Sequence, residues 1–227
     1  MEVTVGNTVR PVHVEYKRSR NMYLRVKEDG SLYVTCPVWT RSEDIEGFIH
    51  EKEKWILKTQ ASEKKRSSRF MTGTDGKTAV WLGKQYHVRF EHASKSFLLF
   101  EGNTIIYDLK NQSEEEIRKT FYREGSKMLA KMIAERRGEW DQKICVANGK
   151  PIPRITIKYM TSRWGSCTPA RNHISMSVRL IHFPSEALDY VLLHEYVHIL
   201  VPNHSKQFYD TVALFMPDWK YGSDLLK

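Results

Sequence analysis

The residues best equipped for chemistry stand together at His194-Glu195-Tyr196-Val197-His198. On an α-helix, residues four apart share one face, about 40° apart around the axis. Two imidazoles so spaced converge on one metal ion. Zinc suits them, because it accepts nitrogen ligands in a tetrahedral shell. Glu195 sits about 100° round from His194. From there its carboxylate reaches a water held on the metal without displacing a histidine. A catalytic zinc needs a third protein ligand and one open position. His204 is the expected third ligand. A continuous helix would carry it about 9 Å beyond His198 along the axis, too far to share the ion. The helix must therefore stop and the chain turn back. Pro202 cannot continue a helix, and Asn203 tolerates the left-handed conformation. Residues 200–204 thus read as a turn delivering a third imidazole. The apolar run Tyr190-Val191-Leu192-Leu193 predicts that the helix is buried. Unpaired imidazoles and a carboxylate are costly there, and a metal resolves that cost.

These groups need a scaffold, and the chain changes character along its length. Val12, Val14 and Tyr16 alternate with polar residues, as do Leu24 and Val26 before Asp29-Gly30 and Leu32, Val34 and Cys36 after it. Alternation around Asp-Gly predicts a hairpin. Thr40 and Glu43 have capping-box spacing, and the apolar period from Ile45 to Ile56 predicts a helix over about 42–60. Residues 61–68 are polar and read as a connection. Strands are expected at 81–90, 96–100 and 104–109. Ser113 and Glu116 form a second capping box before a helix ending near Gly138. Strands at 155–159 and 174–178 precede the motif helix, which runs from Ser185 to about Leu200, and a short helix over 205–216. The expected fold is α+β: a β-rich region with one helix over 1–112, then a metal-hydrolase domain over 113–227 with its active-site helix beside a small sheet.

Arg163-Trp164-Gly165-Ser166-Cys167, the strand at Ile174 to Val178, and Asp189-Tyr190-Val191 leading into the His-Glu-x-x-His run and Pro202-Asn203-His204 together resemble the YgjP-like metallopeptidase family. That family belongs to the zincins and is similar to SprT-like and WLM-type proteases. The resemblance implies zinc ligands His194, His198 and His204 and a general base at Glu195. It also implies substrate bound along a strand beside the active-site helix, with the strand at 174–178 expected in that place or in the sheet core. Val201 stands where metzincins carry a glycine. Some family members have been discussed as nucleotide hydrolases, so the same site on a phosphoanhydride remains a second reading. A third is a non-enzymatic module with structural zinc.

Around the site, Arg163 is expected either to meet a substrate carboxylate, phosphate or oxyanion or to form a structural ion pair. Tyr209 is a candidate phenol donor to the oxyanion. Tyr196 points away from the metal face. Met216 is read as core or as an apolar floor beneath the metal, and Asp189 and Asp210 as surface groups or as partners that orient a histidine.

The 227 residues are 41% hydrophobic and 28% charged, which excludes collagen-like, coiled-coil and wholly disordered classes. The net charge of +9 is spread along the chain and attracts polyanions, so a nucleotide or nucleic-acid partner is open beside a peptide or protein substrate. The basic clusters Lys17-Arg18-Ser19-Arg20 and Lys64-Lys65-Arg66 with Arg69 lack interleaved aromatics and read as solvated loop charge. Three widely spaced cysteines fit a reducing compartment. No leader-like start and no apolar run of membrane-spanning length is read, so a cytoplasmic protein without a membrane partner is expected.

Overall fold

The structure, a computed structural model, describes residues 1–27, 29–92 and 94–227, and the side chains of 62–68 lie outside what it describes. The fold is α+β and divides into two compact units, residues 1–69 and 70–227.

The first unit contains β1 (Glu2–Val5), β2 (Thr8–Lys17), β3 (Tyr23–Val26), β4 (Leu32–Pro37), α1 (Ser42–Glu51) and α2 (Glu53–Ser67). The strands form one sheet in the order β1-β2-β4-β3. The hairpin around Asp29-Gly30 forms as expected, with Val26 opposite Leu32 and Gly30 at φ 85°. Strand alternation sends Val3, Val5, Val12, Leu32, Val34 and Cys36 to one face, where they pack with Ile45, Ile49 and Ile56 of the helices. The helix expected over 42–60 is instead two, interrupted at Lys52, and α2 continues to Ser67 through the stretch read as a connection. Its residues are mostly strong helix formers without an apolar stripe, so periodicity could not reveal it. The cap also lies one residue on: the Asp44 carboxylate accepts the Arg41 N–H at 3.1 Å. The cluster Lys64-Lys65-Arg66 falls among the side chains outside the description.

The second unit opens with β5 (Thr78–Trp81), β6 (Lys84–His92), β7 (Phe97–Glu101) and β8 (Thr104–Leu109), a sheet ordered β5-β6-β8-β7. One strand was expected over 81–90. A tight turn at Leu82-Gly83 divides it, with both residues at positive φ (48° and 76°). Leucine rarely adopts that conformation, which hides the turn from composition. Next come α3 (Glu114–Trp140), whose first turn is capped by Ser113 Oγ accepting the Glu116 N–H at 3.3 Å, and β9 (Arg154–Lys158), β10 (Gly165–Thr168) and β11 (His173–Ser177). Helices α4 (Ser185–Val197), α5 (Lys206–Phe215) and α6 (Trp219–Asp224) complete the chain. The compositional change near 112 falls inside this unit, because Trp81, Ile105, Tyr107 and Leu109 of the sheet share one core with Phe121 of α3 and Leu192 and Leu193 of α4. No helix of the described residues is long and apolar enough to cross a membrane.

His182 ties that core together. Its Nδ1 donates to the Val80 carbonyl and its Nε2 accepts from the Tyr122 hydroxyl, each at 3.0 Å, while its ring stacks on Phe121. Both nitrogens are partnered in the neutral form, and burial, which penalises the charged ring, pushes the imidazole pKa down to about 3. Below pH 6.5 the unfolded chain takes up a proton that the folded chain refuses. The stability this residue contributes is therefore full above pH 6.5 and falls by about 1.4 kcal/mol per pH unit as pH drops toward 3. Denaturant melts between pH 6.5 and 5 should show a steeper loss for the native chain than for His182→Gln. Parallel slopes would refute the assignment.

Candidate metal centre

The last turn of α4 supplies His194, and His198 caps the helix at φ −61°, ψ −18°. The helix stops at Val197, three residues short of the expected end. A single tight turn follows, in which the Ile199, Leu200 and Val201 amides donate to the Tyr196 and Val197 carbonyls. Pro202 then diverts the chain. The reversal needs no left-handed residue at Asn203: outside glycine, positive φ occurs among the described residues only at Leu82 and Asn172. Ser205 starts α5 by accepting the Phe208 N–H, which fixes His204 just ahead of that helix.

The three imidazoles meet. Ring centroids are 4.9 Å apart for His194 and His198, 4.9 Å for His194 and His204, and 4.7 Å for His198 and His204. One nitrogen from each lies within 4.8 Å of the other two. The Nε2 atoms of His194 and His204 approach to 2.9 Å, a separation that calls for a proton or a cation between them. The outer nitrogens of His198 and His194 are engaged elsewhere. His198 Nδ1 donates to the Val201 carbonyl at 3.2 Å, and His194 Nδ1 faces the Tyr190 hydroxyl at 3.4 Å. The Val201 carbonyl selects the His198 tautomer whose Nε2 is free to accept a metal, and both contacts turn the Nε2 edges inward. Burial, reinforced by the other two rings, pushes the His194 pKa down to about 4, and burial lowers His198 as well. Neutral imidazoles are the ligating form. The donor set therefore fits a divalent ion that prefers nitrogen, such as zinc with three protein ligands.

Phe208 holds the triad from beneath. It is fully buried, and its ring centroid lies 4.8, 4.5 and 4.9 Å from those of His194, His198 and His204. The sequence reading missed it. The available signal was its position one helical turn after His204, on the apolar face that α5 shares with Val212. Met216 packs on the unit's core, so the apolar surface under the imidazoles is a phenylalanine's.

Glu195 is 5% exposed. Burial pushes its pKa up to about 7, against a hydrogen bond from the Cys167 amide and the nearby Arg163 charge, which both lower it. Arg163 and Glu195 line one cleft of about 680 Å³ with the three histidines, Trp164 and the β10 residues Gly165 to Cys167. Tyr209 lies outside that lining. Its ring is 6.2 Å from His204 and stacks on Trp219, which stacks in turn on Tyr190. Asp189 pairs with Arg136 at 2.5 Å and Asp210 with Lys206 at 2.7 Å, so neither orients a histidine. Tyr196 points away as expected, donating to Asp141 at 2.6 Å.

The three-stranded sheet is ordered β10-β11-β9. The strand expected either to take substrate or to lie in the sheet core, β11, is paired on both sides and is the central strand, without a free edge. The strand that lines the cleft with an open edge is β10. The Trp164 carbonyl accepts from Ser177 on β11. By the two-residue alternation of an antiparallel pair, Gly165 and Cys167 turn their backbone groups to the free side.

No curated protein matches the chain. Residues 20–227 match the family described as YgjP-like, metallopeptidase domain, a span that holds all three histidines, Glu195 and β10, and the chain belongs to that family.

Proposed function

We propose that this protein is a zinc-dependent hydrolase that cleaves peptide bonds. The observation that carries the reading is the convergence of three imidazoles in one cleft with a buried carboxylate and an open strand edge. His194, His198 and His204 would hold the zinc. Bound there, zinc supplies a Lewis acid that polarises the scissile carbonyl and acidifies water. Glu195 removes a proton from the attacking water and returns it to the leaving amine. The free backbone groups of Gly165 and the Cys167 carbonyl pair with an extended peptide, which aligns its carbonyl beside Glu195. Arg163, exposed at the cleft, offers a cation to a substrate carboxylate or to the charge that develops on the carbonyl oxygen.

The test is metal removal. Protein stripped with a chelator should lose hydrolysis of an unfolded protein substrate, and one equivalent of zinc should restore it. A parallel panel of nucleoside triphosphates covers the phosphoanhydride reading. Triphosphate cleavage with intact peptides would overturn the peptidase assignment.

A further inference from the structure

Gly165 is a glycine without a backbone reason to be one. It lies in a strand, and its φ is outside the left-handed region. A glycine within a strand weakens it and marks a place where something approaches closely. Here the approaching group is identifiable. A Cβ at position 165 would lie 2.4 Å from Glu195 Oε1, 2.7 Å from its Cγ and 2.8 Å from its Cδ. The three nearest atoms all belong to this one side chain. Two residues on, the Cys167 amide donates to the same carboxylate. Both contacts come from the strand that lines the cleft, and Glu195 is 5% exposed between them and its own helix.

We infer that Gly165 and the Cys167 amide together form a seat that fixes the Glu195 carboxylate, with Gly165 acting as a positioning residue through the space its absent side chain leaves. The inference rests on the reading of Glu195 as the base. It adds that β10 serves two purposes, one edge position holding the base and the neighbouring positions remaining free for substrate. A carboxylate on a long, flexible side chain adopts several rotamers in open space. Seated on β10, it is held to one, which keeps it from swinging onto the inward-facing imidazole nitrogens of its own helix.

The experiment has two arms. In the first, Gly165→Ala is compared with the native chain for zinc affinity, kcat and KM. The expected result is zinc affinity and KM within about threefold and kcat reduced about 100-fold, the scale of a misplacement near 1 Å. A loss of zinc affinity equal to the loss of kcat would assign Gly165 to the fold and overturn the proposal. The second arm uses metal-free protein and no substrate. Gly165→Ala should lower the melting midpoint of the second unit by about 4 °C, as the carboxylate leaves its hydrogen bond. In a Glu195→Ala background the same substitution should lower it by less than about 1 °C, because nothing is left to displace. Equal losses in the two backgrounds would also overturn the proposal. Should the native chain hydrolyse nothing, the catalytic reading fails, and this second arm still decides whether the seat exists.

Discussion

Glu195→Gln is expected to keep its zinc and lose about 10²–10⁴-fold in kcat, the range over which a positioned acid–base group acts. The substitution is close to isosteric, and the amide oxygen still accepts from the Cys167 N–H, so the side chain keeps its place. What disappears is the ability to take a proton. Zinc content by elemental analysis should match the native protein, since the three imidazoles and their outer partners, Val201 and Tyr190, are untouched. KM should change by less than about threefold, because the proton moves only in the transition state. Full activity in the variant would remove the base from the mechanism. Loss of zinc along with activity would make Glu195 a structural support instead.

Phe208→Ala carries the largest expected cost to stability and to the metal together. Deleting a fully buried phenylalanine ring costs about 3–5 kcal/mol. For a unit of this size that is a fall of about 6–20 °C in melting midpoint. Beyond the lost burial, the ring is the common neighbour of all three imidazoles. Its removal leaves their rotamers unsupported on one side, and zinc affinity should fall by about 10–100-fold, the usual consequence of losing the groups that orient ligands. Phe208→Leu refills much of the space and should recover most of both losses. Calorimetry and competition with a zinc chelator check the pair. Unchanged zinc affinity in the alanine variant would mean that the histidines hold one another without the ring.

The parts of the site legible in the sequence are those fixed by local geometry. The face shared by His194 and His198, the position of Glu195 between them, and the need for a reversal before His204 all follow from helical period and one proline. The chain reverses as expected, although by a tight turn after Val197 and without a left-handed Asn203. The illegible parts depend on partners distant along the chain. Nothing near Gly165 announces that Glu195 will lie against it. Nothing in the period of β11 tells that β10 will cover its outer side and take over the edge. Tyr190 and Val201 orient the histidines where Asp189 and Asp210 were candidates, because both aspartates have closer cationic partners. In the fold, the hairpin at Asp29-Gly30 was legible from its turn chemistry, whereas Leu82-Gly83 was not, since its leucine adopts a conformation that leucine seldom takes. The extension of α2 to Ser67 escaped because a polar helix shows no apolar stripe.

The two hydrophobic clusters described above share no residue. A single free energy for the whole polypeptide presumes a coupling that two clusters without a common residue do not by themselves supply. A ligand seated among the histidines would add its mass-action support to the unit that holds them, residues 70–227.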